Sequence, residues 1–197
     1  MDERYRCIGM LKRILAIAKS YGTCADPLSD VAAKVAMVVA FNQPFYPLYL
    51  HAILGKAAWP AWLSLLSTPF FISVPGLIRR NPFAGRLMLP AAGLANTVAC
   101  TKIFGVASGV ELFLIPCALL GAALFRPNER LQTLPVLALP FAIYLFIDPR
   151  LGSPIMDASA SQLQGVFVVN AMSVGSLIAL TGILLASRIA LGGIPRP

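Results

Sequence analysis

Six continuous apolar stretches run through the 197-residue chain, and the basic residues between them fall alternately on two sides. A helix needs about 20 apolar residues to cross the hydrocarbon of a bilayer. The stretches are Val31–Leu54, Ala57–Ile78, Leu87–Gly105, Ser108–Phe125, Leu131–Ile147 and Val166–Ser187. The fifth is the shortest and carries Pro135 and Pro140. The strands of a membrane barrel alternate apolar and polar over about ten residues, and these runs do not alternate. The fold class expected is therefore all-α: a polytopic transmembrane bundle of six helices, preceded by an N-terminal amphipathic interfacial helix.

Hydrophobic residues make up 58% of the chain and charged residues 12%. A soluble domain carries about twice that charged fraction. The organisation expected is a cytoplasmic lead over 1–30, a transmembrane domain over 31–187 and a short tail over 188–197. The lead, Met1–Asp30, is too short to build a core of its own, and its scattered charges do not make a signal peptide.

Orientation follows from counting Lys and Arg. One side receives Arg4, Arg6, Lys12, Arg13 and Lys19, then Arg79, Arg80 and Arg86, then Arg126 and Arg130, then Arg188 and Arg196. The other receives Lys56, Arg150 and, at a span end, Lys102, while Lys34 lies just inside the first span. Twelve against three places both termini in the cytoplasm by the positive-inside rule. The same excess accounts for the net charge of +8 without a nucleic-acid partner. Over Tyr5–Ser20, Ile8, Leu11, Ile14, Leu15, Ile17 and Ala18 take one half of a helical wheel, and Arg6, Lys12, Arg13 and Lys19 take the other. Such a helix lies in the headgroup layer as an anchor on anionic lipid, or serves a partner. Cys7, Cys24, Cys100 and Cys117 have neither the spacing nor the setting of a disulfide or a zinc site.

Polar groups within apolar spans are costly without a partner, so they mark candidate sites. Asn42-Gln43-Pro44 followed by Pro47 predicts a broken first span. A broken helix is one way to build a ligand site; the plain alternative is a proline kink patched by two amides. Threading the spans alternately brings His51, Lys102, Glu111 and Asn170 to one depth near the outer surface, with Asn96, Thr97 and Tyr144 deeper. Lys102 and Glu111 flank a tight turn that suits an ion pair. The candidate ligand-binding residues are thus Asn42, Gln43, His51, Asn96, Lys102, Glu111 and Asn170, lining a polar pocket open to the outside; the alternative is that the outer groups snorkel to the interface. Small residues recur every four positions, at Ala91, Ala95 and Ala99 and at Ala171, Gly175 and Ala179. That spacing suits a compact bundle or a homodimer.

No GxSxG, HExxH or phosphate-binding loop occurs. His51 is the sole histidine, which does not suffice for a bis-histidine haem or an intramembrane metalloprotease. The expectation is a protein that is not an enzyme, with no catalytic residue, metal or cofactor.

A basic amphipathic lead, then Ala25-Asp26-Pro27 with Asp30 and Lys34, then six spans, resembles the membrane input domain of bacterial class III adenylate cyclases and some diguanylate cyclases. Ser108-Gly109-Val110-Glu111-Leu112-Phe113, and Arg126 with Glu129-Arg130, are similar as well, so that the likeness covers about residues 20–187. In that family a catalytic domain follows the last span, whereas this sequence stops at Pro197. The resemblance implies a multi-pass sensor of the bacterial inner (plasma) membrane, taking part in signal transduction. It would bind a small or lipophilic ligand in the outer half of the bundle and signal to a cytoplasmic partner, with the sixth helix as output. Two rival readings stand beside it: a small transporter or channel subunit, and a structural or assembly subunit of a membrane complex. The two halves of the chain hold no second NQPxxP, which speaks against a repeat-built transporter.

Overall fold

The computed structural model describes residues 10, 12–13, 16–146 and 148–192. Most of the amphipathic lead, including Arg4, Arg6, Cys7, Ile8, Leu11, Ile14 and Leu15, lies outside the described residues, as do Ile147 and the tail from 193 on. Residues 10, 12–13 and 16–21 are helical.

The chain is all-helical, with no strand among the described residues. After the lead, its α-helices are α1 (Pro27–Asn42), α2 (Phe45–Leu54), α3 (Thr68–Arg80), α4 (Pro82–Phe104), α5 (Leu114–Ala123), α6 (Arg130–Phe146), α7 (Asp148–Leu151) and α8 (Ala160–Ala190). A 3-10 stretch, Gly55–Ser67, joins α2 to α3. Two short 3-10 turns, Val106–Ser108 and Val110–Phe113, lead into α5.

Local chemistry sets the helix starts. Asp26 caps α1 by accepting from Ser29 N at 2.9 Å, with Pro27 in the first turn. Asn81 does the same for α4, accepting from Ala84 N at 3.1 Å ahead of Pro82. Ser159 and Gln162 form a reciprocal capping box at α8.

Three helical runs are long and apolar enough to cross a membrane: Phe45–Arg80, Pro82–Phe104 and Ala160–Ala190. They become four if Val110–Ala123 and Pro127–Phe146, bent at 111°, count as one span. By helix length and apolar composition the structure thus displays three or four spans where the sequence predicts six. The first is divided at Gln43-Pro44 into helices of 16 and 10 residues, because Pro44 brings no N–H to continue the ladder. The fourth begins as 3-10 turns, leaving an α-helix of 10 residues.

The chain also reverses within Phe45–Arg80. Gly55 adopts φ 59°, a left-handed value that only glycine takes freely. Across this turn Gln43 Nε2 donates to Ser67 Oγ at 2.8 Å, so α2 and the 3-10 stretch run side by side. Farther along, Tyr21 donates to Ile72 O at 2.9 Å and α1 packs antiparallel to α3.

α4 is the hub, touching α1, α3, α5, α6 and the 3-10 stretch. One apolar cluster, containing Val31, Val35, Val74, Leu89, Leu120 and Leu124, fills the end of the bundle that carries Arg79, Arg86 and Arg126. A second, containing Leu50, Leu54, Phe104, Val110 and Val166, fills the opposite end. α8 lies at the edge: Phe167, Val168, Met172 and Ile183 are exposed on it.

Candidate functional site

A cavity of about 490 Å³ lies between the two clusters, walled mainly by α1, α2, α4, α5 and α8, with Phe71 of α3. Its wall is mainly apolar, with Val35, Phe71, Leu89, Phe113, Leu120 and Leu177 contributing. Asn42, Gln43, Tyr46, Ser64, Asn96, Thr97, Cys100, Ser173 and Ser176 bring polar atoms to it. Broken backbone between Asn42 and Phe45 is what lets two adjacent amides reach one space. Gln43 is buried and Asn42 is exposed. Some of the polar groups are already engaged: Thr97 donates to Gly93 O at 2.8 Å and Ser173 to Val169 O at 2.8 Å.

Of the residues expected from the sequence, the structure gathers Asn42, Gln43 and Asn96 around this cavity. His51, Lys102, Glu111 and Asn170 are not among its lining. His51 is exposed in the last turn of α2. Lys102 ties down a loop, its ammonium donating to Leu151 O at 2.8 Å and Ser153 O at 2.7 Å. The same loop returns the contact, since Ile155 N and Met156 N donate to the Lys102 and Ile103 carbonyls at 3.1 and 2.9 Å. The open end of α4 is thereby satisfied. Glu111 is half-buried in its 3-10 turn, beside two residues, Val110 and Phe113 (in the same turn), that do line the cavity. Tyr144 is exposed on α6.

Asn170 is fully buried and joins three elements. Tyr46 OH donates to Asn170 Oδ1 at 2.9 Å, and Asn170 Nδ2 donates to Ser108 O at 2.9 Å. This bridge fixes α8 against α2 and against the turn between α4 and α5. Gly109, next in that turn, has φ 69°, and a Cβ there would overlap the Phe167 ring of α8.

The arginine-rich end holds a series of ion pairs that sequence reasoning did not place. Asp30, fully buried, accepts from Lys34 at 2.8 Å, from Cys24 N at 3.0 Å and from Arg188 in the last turn of α8. Asp26 accepts from Arg126 at 2.7 Å. Arg126 N donates to Glu129 at 2.8 Å, and Glu129 accepts from Arg86 of α4 at 2.6 Å. Arg86 is buried, and its remaining donors meet Leu124 O at 2.9 Å and Pro82 O at 3.2 Å. Four elements (α8, α1, the turn before α6, and α4) are thus joined by charge-assisted hydrogen bonds. Burial pushes the Asp26 and Glu129 carboxyls up, but the hydrogen bonds from Ser29 and Arg126, and from Arg126 and Arg86, outweigh it and hold both below the usual carboxylate range. Asp26, Asp30, Lys34, Arg126 and Glu129 all belong to this series. In sequence they read only as separate charges near span ends. No group of three or more His, Cys, Asp or Glu that could hold a metal ion occurs among the described residues.

The chain matches no family model, no curated protein and no solved structure.

Proposed function

We propose that this protein is a six-helix sensor module of the bacterial inner membrane, with both termini cytoplasmic. It binds a small or lipophilic ligand inside the bundle and passes a change to a cytoplasmic partner. The observation that carries this reading is the double engagement of α8. Met172, Ser176, Leu177 and Leu180 of α8 wall the cavity, and Arg188 of the same helix meets Asp30 at the arginine-rich end. A ligand pressing on that wall moves a helix whose far end is held by a breakable contact, which is what a two-state output needs. Six crossings are supported by the reversal at Gly55, which splits Phe45–Arg80 into two side-by-side arms continued by α1 and α3. They are supported too by the clustering of Arg79, Arg80, Arg86, Arg126 and Arg188 at one end.

Crosslinking tests the signalling step. A photoreactive amino acid at the exposed Leu191, activated in intact cells, should capture a nucleotide cyclase or a kinase of the signalling type. Solute flux in proteoliposomes of the purified protein, with no signalling enzyme captured, would replace the sensor with a transporter. The divided first span, with Asn42 and Gln43 on the cavity, is the observation behind that second reading. A homodimer through α8, or a place in a larger complex, is supported by the open space around Gly175 and Gly182, where a second helix can approach closely.

A further inference from the structure

We infer that the cavity takes an uncharged lipophile bearing a hydrogen-bond-accepting oxygen, and that this molecule enters sideways from the bilayer. The inference rests on the ligand-binding reading above and specifies the ligand. Three observations carry it.

The first is the position of the mouth. Phe41, Asn42, Tyr49, Met172 and Ser176 both line the cavity and are exposed. They sit at mid-length rather than at the ends of the bundle. Met172 is about 18 Å along α8 from Ala160 and about 27 Å from Ala190, at 1.5 Å of rise per residue. An opening at that level, edged by aromatic and thioether side chains, faces hydrocarbon in a bilayer.

The second is charge. No Asp, Glu, Lys, Arg or His lines the cavity among the described residues. A charged ligand would lose its hydration there with no countercharge to offset the loss. A neutral ligand incurs no such cost.

The third is the unused donor. Cys100 Sγ approaches Asn96 Oδ1 at 3.7 Å, while Asn96 Nδ2 donates to no protein group among the described residues. Asn96 lies on α4 about 15 Å from Arg86 and about 9 Å from Lys102 along the helix axis. Its amide is therefore deep in the bundle, beyond the reach of a phospholipid headgroup that stays in the interfacial layer. A ligand that lends it an acceptor must carry an isolated oxygen, such as a hydroxyl or carbonyl, on an otherwise apolar body. The volume, about 490 Å³, falls in the range of small-molecule sites.

Photolabelling of the full chain in phosphatidylcholine–phosphatidylglycerol vesicles tests this. Three diazirine probes are compared: a long-chain alcohol, a phosphatidylcholine, and a water-soluble membrane-impermeant sulfonate. Adducts are mapped by mass spectrometry. The alcohol should label cavity residues in preference to the other two. Asn96→Leu should lower that labelling about fivefold, the effect of one lost hydrogen bond. Ser176→Trp, at an exposed position of the mouth, should abolish it while adducts on the exposed face of α6 stay constant. Equal cavity labelling by alcohol and phosphatidylcholine, unmoved by Asn96→Leu, would overturn the ligand class and leave the site standing. Labelling by the sulfonate instead of the alcohol would overturn lateral entry. The absence of cavity adducts with every probe would overturn this inference and the ligand-binding reading together.

Discussion

Arg188, in the last turn of α8, donates to the buried carboxylate of Asp30 at the start of α1, a partner 158 positions earlier in the chain. Lys34 shares the same carboxylate from one helical turn on, at 2.8 Å. Asp30 therefore keeps a countercharge when Arg188 leaves, and the end of α8 can detach without stranding a buried anion. Arg188→Ala should free the last turns of α8 while the rest of the bundle holds. Hydrogen exchange at 184–190 should accelerate, and a double-mutant cycle with Asp30→Asn should return a coupling of about 1–2 kcal/mol. A coupling near zero would remove the contact from any output role.

Arg86 has no comparable substitute. It is buried against Leu124 O, Pro82 O and Glu129, and its planar fork satisfies all three. Arg86→Met should cost about 3 kcal/mol, because Glu129 and a buried carbonyl lose their donor. Arg86→Lys should recover only part of that, since one ammonium cannot reproduce the fork. Thermal unfolding in detergent, followed by circular dichroism, measures both.

Acid should loosen the same end. Asp26 and Glu129 titrate below the usual carboxylate range because hydrogen bonds from Ser29, Arg126 and Arg86 outweigh the effect of burial. The folded protein thus takes up these protons later than the unfolded chain does. Their contribution to stability is complete above the unfolded pKa of about 4. It drains as pH falls through the lower folded values. Unfolding midpoints should drop below about pH 4, and the double variant Asp26→Asn, Glu129→Gln should be weaker at neutral pH with a flatter acid limb. An acid limb identical to that of the unaltered protein would clear these carboxylates of the acid sensitivity.

Asn170 shows whether a buried amide serves as site or as structure. Its two hydrogen bonds go to Tyr46 OH and Ser108 O, so Asn170→Leu strands both and should cost about 2 kcal/mol. Tyr46→Phe alone should cost about 1 kcal/mol. If Asn170→Leu were neutral in the same unfolding measurement, the bridge would not hold α8 in place.

Membrane orientation has a direct measurement. An alkaline phosphatase fusion after Pro197 should be inactive, and an insertion at Gly55-Lys56 should be active. The opposite pair of results would invert the proposed topology and detach Arg188 from the cytoplasm.

Much of the fold is legible residue by residue. Continuous apolar runs make the chain all-helical, and Asn42-Gln43-Pro44 marks where the first span breaks, which it does between Asn42 and Phe45. Helix starts are less legible. α4 begins at Pro82 rather than Leu87, because Asn81 and Pro82 form a cap that hydropathy does not register. α8 begins at Ala160 for the same kind of reason, through Ser159 and Gln162. Asn42, Gln43 and Asn96 stand out in sequence as polar groups within apolar spans, and all three line the cavity.

Hydropathy and charge are properties of one residue and its near neighbours, so the sequence by itself determined the helical class, the apolar segments and the spacing of the arginines between them. Partner choice is not local. Depth along a span left Lys102 and Asn170 looking like ligand-binding groups, and only the folded arrangement turned one toward the Leu151 and Ser153 carbonyls and the other toward Tyr46 and Ser108. It also linked Asp30 to Arg188 and opened a cavity between α1, α2, α4, α5 and α8. These features depend on rotation and crossing of helices about one another, which are set by side-chain packing between segments distant in sequence, and no single segment encodes them.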